Sequence, residues 1–284
     1  MITEAEIRRL AARWQVDPMI PDLDYALSWF LAGLSKTLKA RSGLRFKGGT
    51  CLRKCYFPGY RFSEDLDFTA TRSISSNELN DWIAQITDWS TSQAGPDFTA
   101  APYRLEVVED EYGKESFQVR VYYRGPLRWG GSLRAIRLDI TRDERLLWPA
   151  EDRPLYHAYS DSDELKALSV PCYTLREIFS EKVRAVCGQR RFAIARDVYD
   201  IHWLVQSGVA MVEIFSNLPE KFRHRGVNLN SLRVALLEKR RQEYEHSWRT
   251  QLDYLIPNSD LITFEDAWKT TIEAVGQLEG LIKE

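Results

Sequence analysis

Apolar residues at Ile7, Leu10, Ala11 and Trp14 recur at helical spacing, and Thr3 with Glu6 ahead of them makes a capping box. A second stripe, Leu23, Leu27, Phe30, Leu31, Leu34 and Leu38, follows Pro21-Asp22 and predicts a helix that stops near Ser42-Gly43. The period then changes. Leu44 to Lys47 reads as a short strand running into Gly48-Gly49, Thr50 to Cys55 as a short helix, and Pro58-Gly59 as a turn. Phe62 to Phe68 alternates as a strand does, and Asn77 to Trp89 returns to helical spacing. Three more strands are expected at Tyr103 to Val108, Ser116 to Tyr123 and Leu133 to Thr141, with Gly125-Pro126 and Gly130-Gly131 marking turns. Strands therefore fall between about residues 44 and 141, and helix dominates after Pro171. The expected class is α+β, with N-terminal helices at 1–43 packed on the core, a mixed α+β core at 44–165 and a helical domain at 166–284.

Alternation sorts the strand at 62–68 into two faces. Phe62, Leu66 and Phe68 point into a core, while Ser63, Asp65 and Asp67 point the other way. Carboxylates placed so are roughly 7 Å apart and repel unless a cation stands between them. Hard oxygen donors in this pattern suit Mg²⁺ or Mn²⁺, which keep waters and take substrate phosphates as further ligands. Gly48-Gly49 supplies the other half: bare backbone lets N–H groups approach a phosphate, and Thr50 adds a hydroxyl. Neither motif means much alone, since Gly-Gly is common in tight turns and Asp-x-Asp at solvated strand ends. Their order along the chain is the informative part. Asp139 is a third candidate, because a carboxylate between Leu138 and Ile140 on a strand needs either an ion pair, with Arg137 or Arg142, or a metal. If its strand lies beside the acidic one, the three carboxylates suit metal-assisted in-line transfer at phosphorus.

The helical half adds two misplaced polar residues. Thr174 and Glu177 form a capping box, and the stripe that follows, Leu175, Ile178, Phe179, Lys182, Val183 and Val186, contains a lysine. An ammonium there must meet an anion, either a nucleotide triphosphate or a neighbouring carboxylate. Asp197 belongs to the inward stripe of Ile194, Val198, Ile201 and Val205 and shares a helix face with Asp200 at i,i+3, while an i,i+4 pair with Arg196 is the plainer account of Asp200, which ranks below Asp197.

The net charge of −2 steers no partner, but six basic residues lie between Arg176 and Arg196, and a second basic group runs from Lys221 to Arg241. Each is either a solvated helix face or a polyanion-binding surface. Cys51, Cys55, Cys172 and Cys187 lack paired metal-knuckle spacing; Cys51 and Cys55 could be metal ligands but have no second ligand pair, and the four read as buried or idle thiols of a reducing cytoplasm. No run of about 18 apolar residues exists to span a membrane, and the first residues lack the features of a secretion signal.

Two segments then resemble a known family. Lys47-Gly48-Gly49-Thr50-Cys51-Leu52-Arg53-Lys54 with Arg61-Phe62-Ser63-Glu64-Asp65-Leu66-Asp67-Phe68 looks like the first signature of the AbiEii/MenT nucleotidyltransferase-like toxins. Leu175 to Lys182 with Ala195 to Asp200 resembles the second. The resemblance implies a polymerase-β-like nucleotidyltransferase core followed by an α-helical C-terminal domain. It implies a toxin of a type IV toxin–antitoxin or abortive-infection module, active in phage defence, with its antitoxin encoded nearby. Such toxins move nucleotides from an NTP, with Mg²⁺ or Mn²⁺, to the 3′ acceptor end of tRNA and block translation. On that pattern Ser63, Asp65, Lys182 and Asp197 are catalytic, and Asp65 and Asp67, with Asp139 from the strand reading, hold metal. Lys47, Gly48, Gly49, Thr50, Ser63 and Lys182 bind nucleotide, and the basic helices grip the tRNA. Two other readings fit the same site: transfer to a small molecule or protein hydroxyl, and a nucleotide-binding module without turnover.

Overall fold

The computed structural model describes residues 1–38, 42–93, 95–109, 114–128, 130–258 and 262–283. The chain divides into two compact units. The first contains Met1–Glu144, Ala150–Cys172 and a short return of chain from Leu255; the second contains Arg145–Pro149 and the chain from Tyr173, less that return. The division expected at 165/166 falls in the turn just before the last strand of the sheet.

In the first unit, α1 (Glu4–Trp14) begins where Thr3 accepts a hydrogen bond from the Glu6 N–H at 3.2 Å. Helix α2 (Met19–Thr37) starts two residues before the proline expected to open it. Pro21 sits in its first turn, where a missing N–H has no helical acceptor to lose. Strand β1 (Leu44–Lys47) runs into α3 (Gly48–Cys51) and a π-helical turn (Leu52–Tyr56) before β2 (Asp65–Ala70). Then come α4 (Ser76–Ser92), β3 (Arg104–Glu109), β4 (Glu115–Tyr123) and β5 (Arg134–Thr141). The two strands outside the expected region, β6 (Glu151–Pro154) and β7 (Ser169–Cys172), correct the sequence reading. Each has four residues and a proline, too short to show a period of two, and they are strands because β7 pairs with β1 and β6 with β7.

The sheet order is β3-β4-β5-β2-β1-β7-β6, with β2–β5 and β1–β7 parallel and the other pairs antiparallel. Its apolar face is set by Phe46 opposite Phe68, with ring centroids 5.1 Å apart, and by Leu66, Leu138, Ile140, Phe117 and Val119. Helix α2 packs against α4, β5 and β7. The mixed sheet with its many helices is α+β, as expected.

In the second unit, α5 (Leu175–Arg184) starts at Thr174, whose hydroxyl accepts from the Glu177 N–H. Then follow α6 (Ala195–Gln206), α7 (Met211–Phe215), α8 (Leu218–His224), α9 (Val234–Glu238), α10 (Arg241–Gln251) and α11 (Phe264–Lys283). Helix α6 packs against α5, α10 and α11 and buries Val198, Tyr199, Ile201 and Leu204. No helix among the described residues is long and apolar enough to cross a membrane.

Candidate active site

On β2, Leu66 and Phe68 are buried in the core, which leaves Asp65 and Asp67 on the opposite face. The parallel register with β5 puts Asp67 directly beside Asp139 and Asp65 beside Arg137. Three carboxylates thus share one face of two adjacent strands, as the sequence predicts if those strands are neighbours. Neither expected ion pair for Asp139 forms: Arg142 pairs with Glu115, and the Arg137 Nε lies 2.9 Å from Asp65 Oδ1. That Arg137 contact lacks hydrogen-bond alignment, and Asp65 Oδ1 is a buried oxygen with no hydrogen-bond partner. Gln118 stands opposite Asp139 on β4.

The electrostatics are those of crowded anions. Burial first, and then the charge of Asp65, push the Asp139 carboxyl above its usual range, although Gln118 and Arg137 act the other way. A folded state that holds a carboxyl proton more tightly than the unfolded chain loses stability as pH rises past the ordinary carboxylate range. Asp139→Asn is therefore expected to raise the thermal midpoint at pH 7 by about 2 °C, a gain that fades below about pH 4. Scanning calorimetry at the two pH values checks it, and a loss of stability at pH 7 contradicts it. A hard divalent cation would relieve the same crowding, so the oxygen donors, among them the Asp65 oxygen that has no hydrogen bond, fit such an ion. The three carboxylates do not form a set with all ligand atoms within 4.8 Å of one another, so closing around one ion requires side-chain movement.

The glycine turn is shaped by the protein's own groups. Gly48 has φ +79°, a left-handed conformation, and a β-carbon there would stand 2.2 Å from Asp67 Oδ2. A β-carbon on Gly49 would stand 2.4 Å from Arg61 Nη2, and Arg61 is buried. The first glycine therefore seats an acidic-face carboxylate against the turn, and the second seats a guanidinium. Lys47 lies opposite Asp67 in the β1–β2 register. Thr50 departs from its expected part: its hydroxyl is fully buried and donates to the Asp65 carbonyl at 2.5 Å, tying α3 to the start of β2. Ser63 is buried but precedes the strand, which begins at Asp65, so alternation does not set its direction. The reason is local, since the Phe62 N–H donates to the Leu255 carbonyl at 2.8 Å instead of to a neighbouring strand.

In the helical unit, Lys182 meets carboxylates, two of them. Its Nζ lies 2.6 Å from Asp197 Oδ1 and 2.7 Å from Asp200 Oδ2, and both aspartates are buried. Arg190 Nε donates to the other Asp197 oxygen at 2.7 Å. Burial alone would raise the Asp197 carboxyl, but Arg190 and Lys182 outweigh it and hold it at about 2. Asp200, for which sequence spacing makes a pair with Arg196 the plainer account, is a second anion on Lys182. The signal was its place three residues after Asp197, which puts the two on one helix face.

The expectation of continuous basic helical surfaces needs correction. Lys221 is fully buried and pairs with Glu177, pairs with Glu181 at 3.2 Å and donates to the Arg145 carbonyl at 2.8 Å. Arg184 and Arg225 are buried too, Arg176 pairs with Glu213 and Arg241 with Glu265. Charge counted along a helical sequence includes side chains that helix packing takes inside. Arg191, Arg223, Arg233 and Lys239 are the exposed cations of the two groups outside those ion pairs.

Residues 29–270, most of the chain, match the family described as nucleotidyl transferase AbiEii toxin, type IV TA system, and the chain belongs to that family. No curated protein matches it. Its fold is similar to JHP933 from Helicobacter pylori, at 14% identity and TM-score 0.55 over 94% of this chain and 95% of that one. It is similar also to a putative nucleotidyltransferase from H. pylori, at 16% identity and TM-score 0.52 over 94% of this chain and 98% of that one. MenT4, a nucleotidyltransferase toxin from Mycobacterium tuberculosis H37Rv, is similar at 19% identity and TM-score 0.52 over 98% and 99% of the two chains.

Proposed function

We propose, from its place among the AbiEii toxins, that the protein arrests translation by adding nucleotides from an NTP to the 3′ end of tRNA in a Mg²⁺-dependent reaction. The observation that carries this reading is the side-by-side register of Asp67 and Asp139, with Asp65 on the same face. Those three carboxylates are assigned to hold the metal. Bound there, a divalent ion supplies charge neutralisation for a triphosphate and polarises its α-phosphate. The backbone of Gly48 and Gly49, with Lys47 and Ser63, binds phosphate oxygens. Lys182 supplies positive charge to the same reaction, and Asp197 holds Lys182 in place. The terminal ribose hydroxyl of the RNA loses its proton to solvent and forms a bond to the α-phosphorus, the bond from that phosphorus to the bridging oxygen breaks, and pyrophosphate leaves. Positioning and charge neutralisation do most of the acceleration. The toxin works in the cytoplasm, as part of phage defence, against an antitoxin encoded beside it.

One observation favours a second acceptor class: burial of Lys221, Arg225 and Arg184 leaves fewer cations for an RNA backbone than the sequence promises. Transfer to a small-molecule or protein hydroxyl would use the same carboxylates. The test separates the two. Purified protein is incubated with Mg²⁺, each α-labelled NTP in turn, and total tRNA either intact or periodate-oxidised to destroy its terminal diol. Label on intact tRNA alone, absent with Asp65→Ala, is the expected result. No labelled tRNA with any of the four nucleotides sinks the tRNA reading, and label on protein or small solutes turns it into the second.

A further inference from the structure

Three of the four cysteines converge. Cys51 ends α3, Cys55 lies one turn further on, and Cys172 ends β7; all three are fully buried and their sulphurs lie within 4.8 Å of one another. Sequence spacing hides this, because Cys172 arrives only through the β1–β7 pair, where it stands opposite Phe46. Among the described residues this is the one set of His, Cys, Asp or Glu side chains with three ligand atoms so close together. The acidic face does not form such a set.

The spacing suits a thiolate-bound ion. An ion about 2.3 Å from each sulphur in tetrahedral directions holds the sulphurs about 3.8 Å apart, so the trio need close by no more than about 1 Å. Cys55 is the thiol drawn toward thiolate, favoured by the neighbouring Cys172 and Cys51 thiols and by the positive charge of Lys54 and Arg153 against the effect of burial, whereas burial holds Cys51 and Cys172 above the usual thiol range. Charge decides the ion class. Three thiolates leave one net negative charge around a divalent ion but two around a monovalent one, and burial penalises the second more. Sulphur donors also select against the hard ions that carboxylates prefer.

We propose that Cys51, Cys55 and Cys172 bind one thiophilic divalent ion of the zinc class. The ion fastens the helix behind Gly48-Gly49 to β7 and thereby stiffens the turn that seats Asp67. Binding forms three metal–sulphur bonds and releases up to three protons, among them the one Cys172 donates to the Val170 carbonyl at 3.2 Å. No electrons move.

The protein, reduced and stripped with chelator, is titrated with Co²⁺ as a spectroscopic stand-in and then with Zn²⁺. One equivalent of Co²⁺ is expected to give a sulphur-to-cobalt charge-transfer band that Zn²⁺ removes and excess Mg²⁺ leaves in place. The band is expected to vanish in Cys55→Ser and Cys172→Ser and to persist in Cys187→Ser, the variant of the remaining cysteine. Zn²⁺ at a hundredfold excess over its Kd is expected to raise the wild-type Tm by about 5 °C. A reduced wild-type protein without that band overturns the proposal, as does a band that survives in Cys55→Ser and Cys172→Ser. Should those variants not fold, the wild-type titration decides alone, because Cys187 by itself cannot give a three-sulphur spectrum. A thiol count that falls by two on air exposure, with no metal taken up, also overturns it and identifies a disulphide pair instead.

Discussion

Gly48→Ala is expected to lower nucleotide transfer by about 100-fold or more while the protein stays folded. Two effects meet at this position. The backbone is left-handed, which costs an alanine about 1 kcal/mol, and the new β-carbon would stand 2.2 Å from Asp67 Oδ2. The carboxylate must move, and with it the face it shares with Asp139. Gly59→Ala is the matched control: Gly59 has φ +84°, but a β-carbon there meets no atom within 4 Å. The control carries the backbone cost without displacing Asp67. Initial rates and thermal midpoints of the two variants separate the effects. Equal activity in both would mean that Asp67 need not sit where the turn puts it.

Asp24→Ala is expected to lose on the order of 4 kcal/mol, enough to depress Tm by about 10 °C. Asp24 is buried in α2, and its two oxygens take Arg53 Nε and Lys54 Nζ, each at 2.6 Å, with the Tyr159 hydroxyl donating at 2.8 Å. Burial opposes the Asp24 charge, but Arg53 and Lys54 overcome it and hold the carboxyl far below its usual range. Lys54 fares worse: burial lowers it to about 8 despite Asp24. Removing the carboxylate leaves two buried cations, and Lys54 must shed its proton. A depressed carboxyl stabilises the fold above its unfolded value and loses that contribution as the pH falls through the acid range. The wild type is therefore expected to lose stability below about pH 4 more steeply than Asp24→Asn does. Urea melts at pH 7 and pH 3 measure both effects. Since Arg53 and Lys54 belong to the turn that follows α3, the cluster also anchors the segment behind Gly48.

Much of this was legible because the signals are local. The Thr3 and Thr174 caps, the alternation of β4 and β5, and the Gly-Gly-to-acidic-strand order depend on neighbours a few residues away. The place of Asp139 was legible too, once two strands were assumed adjacent. What escaped depends on partners far along the chain. β6 and β7 exist through edge pairing, the Cys172 thiol reaches Cys51 through the sheet, and Lys221 meets Glu177 across the helical packing. A charge count cannot see that last pair, so the basic helices read as more exposed than they are. Thr50 shows the finer limit, in that a hydroxyl beside a glycine turn can be spent on a backbone carbonyl.

The central claim is that the acidic face of β2 and β5 is the metal-bound centre of nucleotidyl transfer. The most direct measurement is the rate of α-phosphate incorporation into RNA by wild type and Asp67→Asn across a Mg²⁺ titration. Both proteins are first shown to melt at similar temperatures. Wild-type incorporation that rises with Mg²⁺ and falls by about 1000-fold or more in the variant is the predicted outcome. A folded Asp67→Asn protein that incorporates label at the wild-type rate contradicts it.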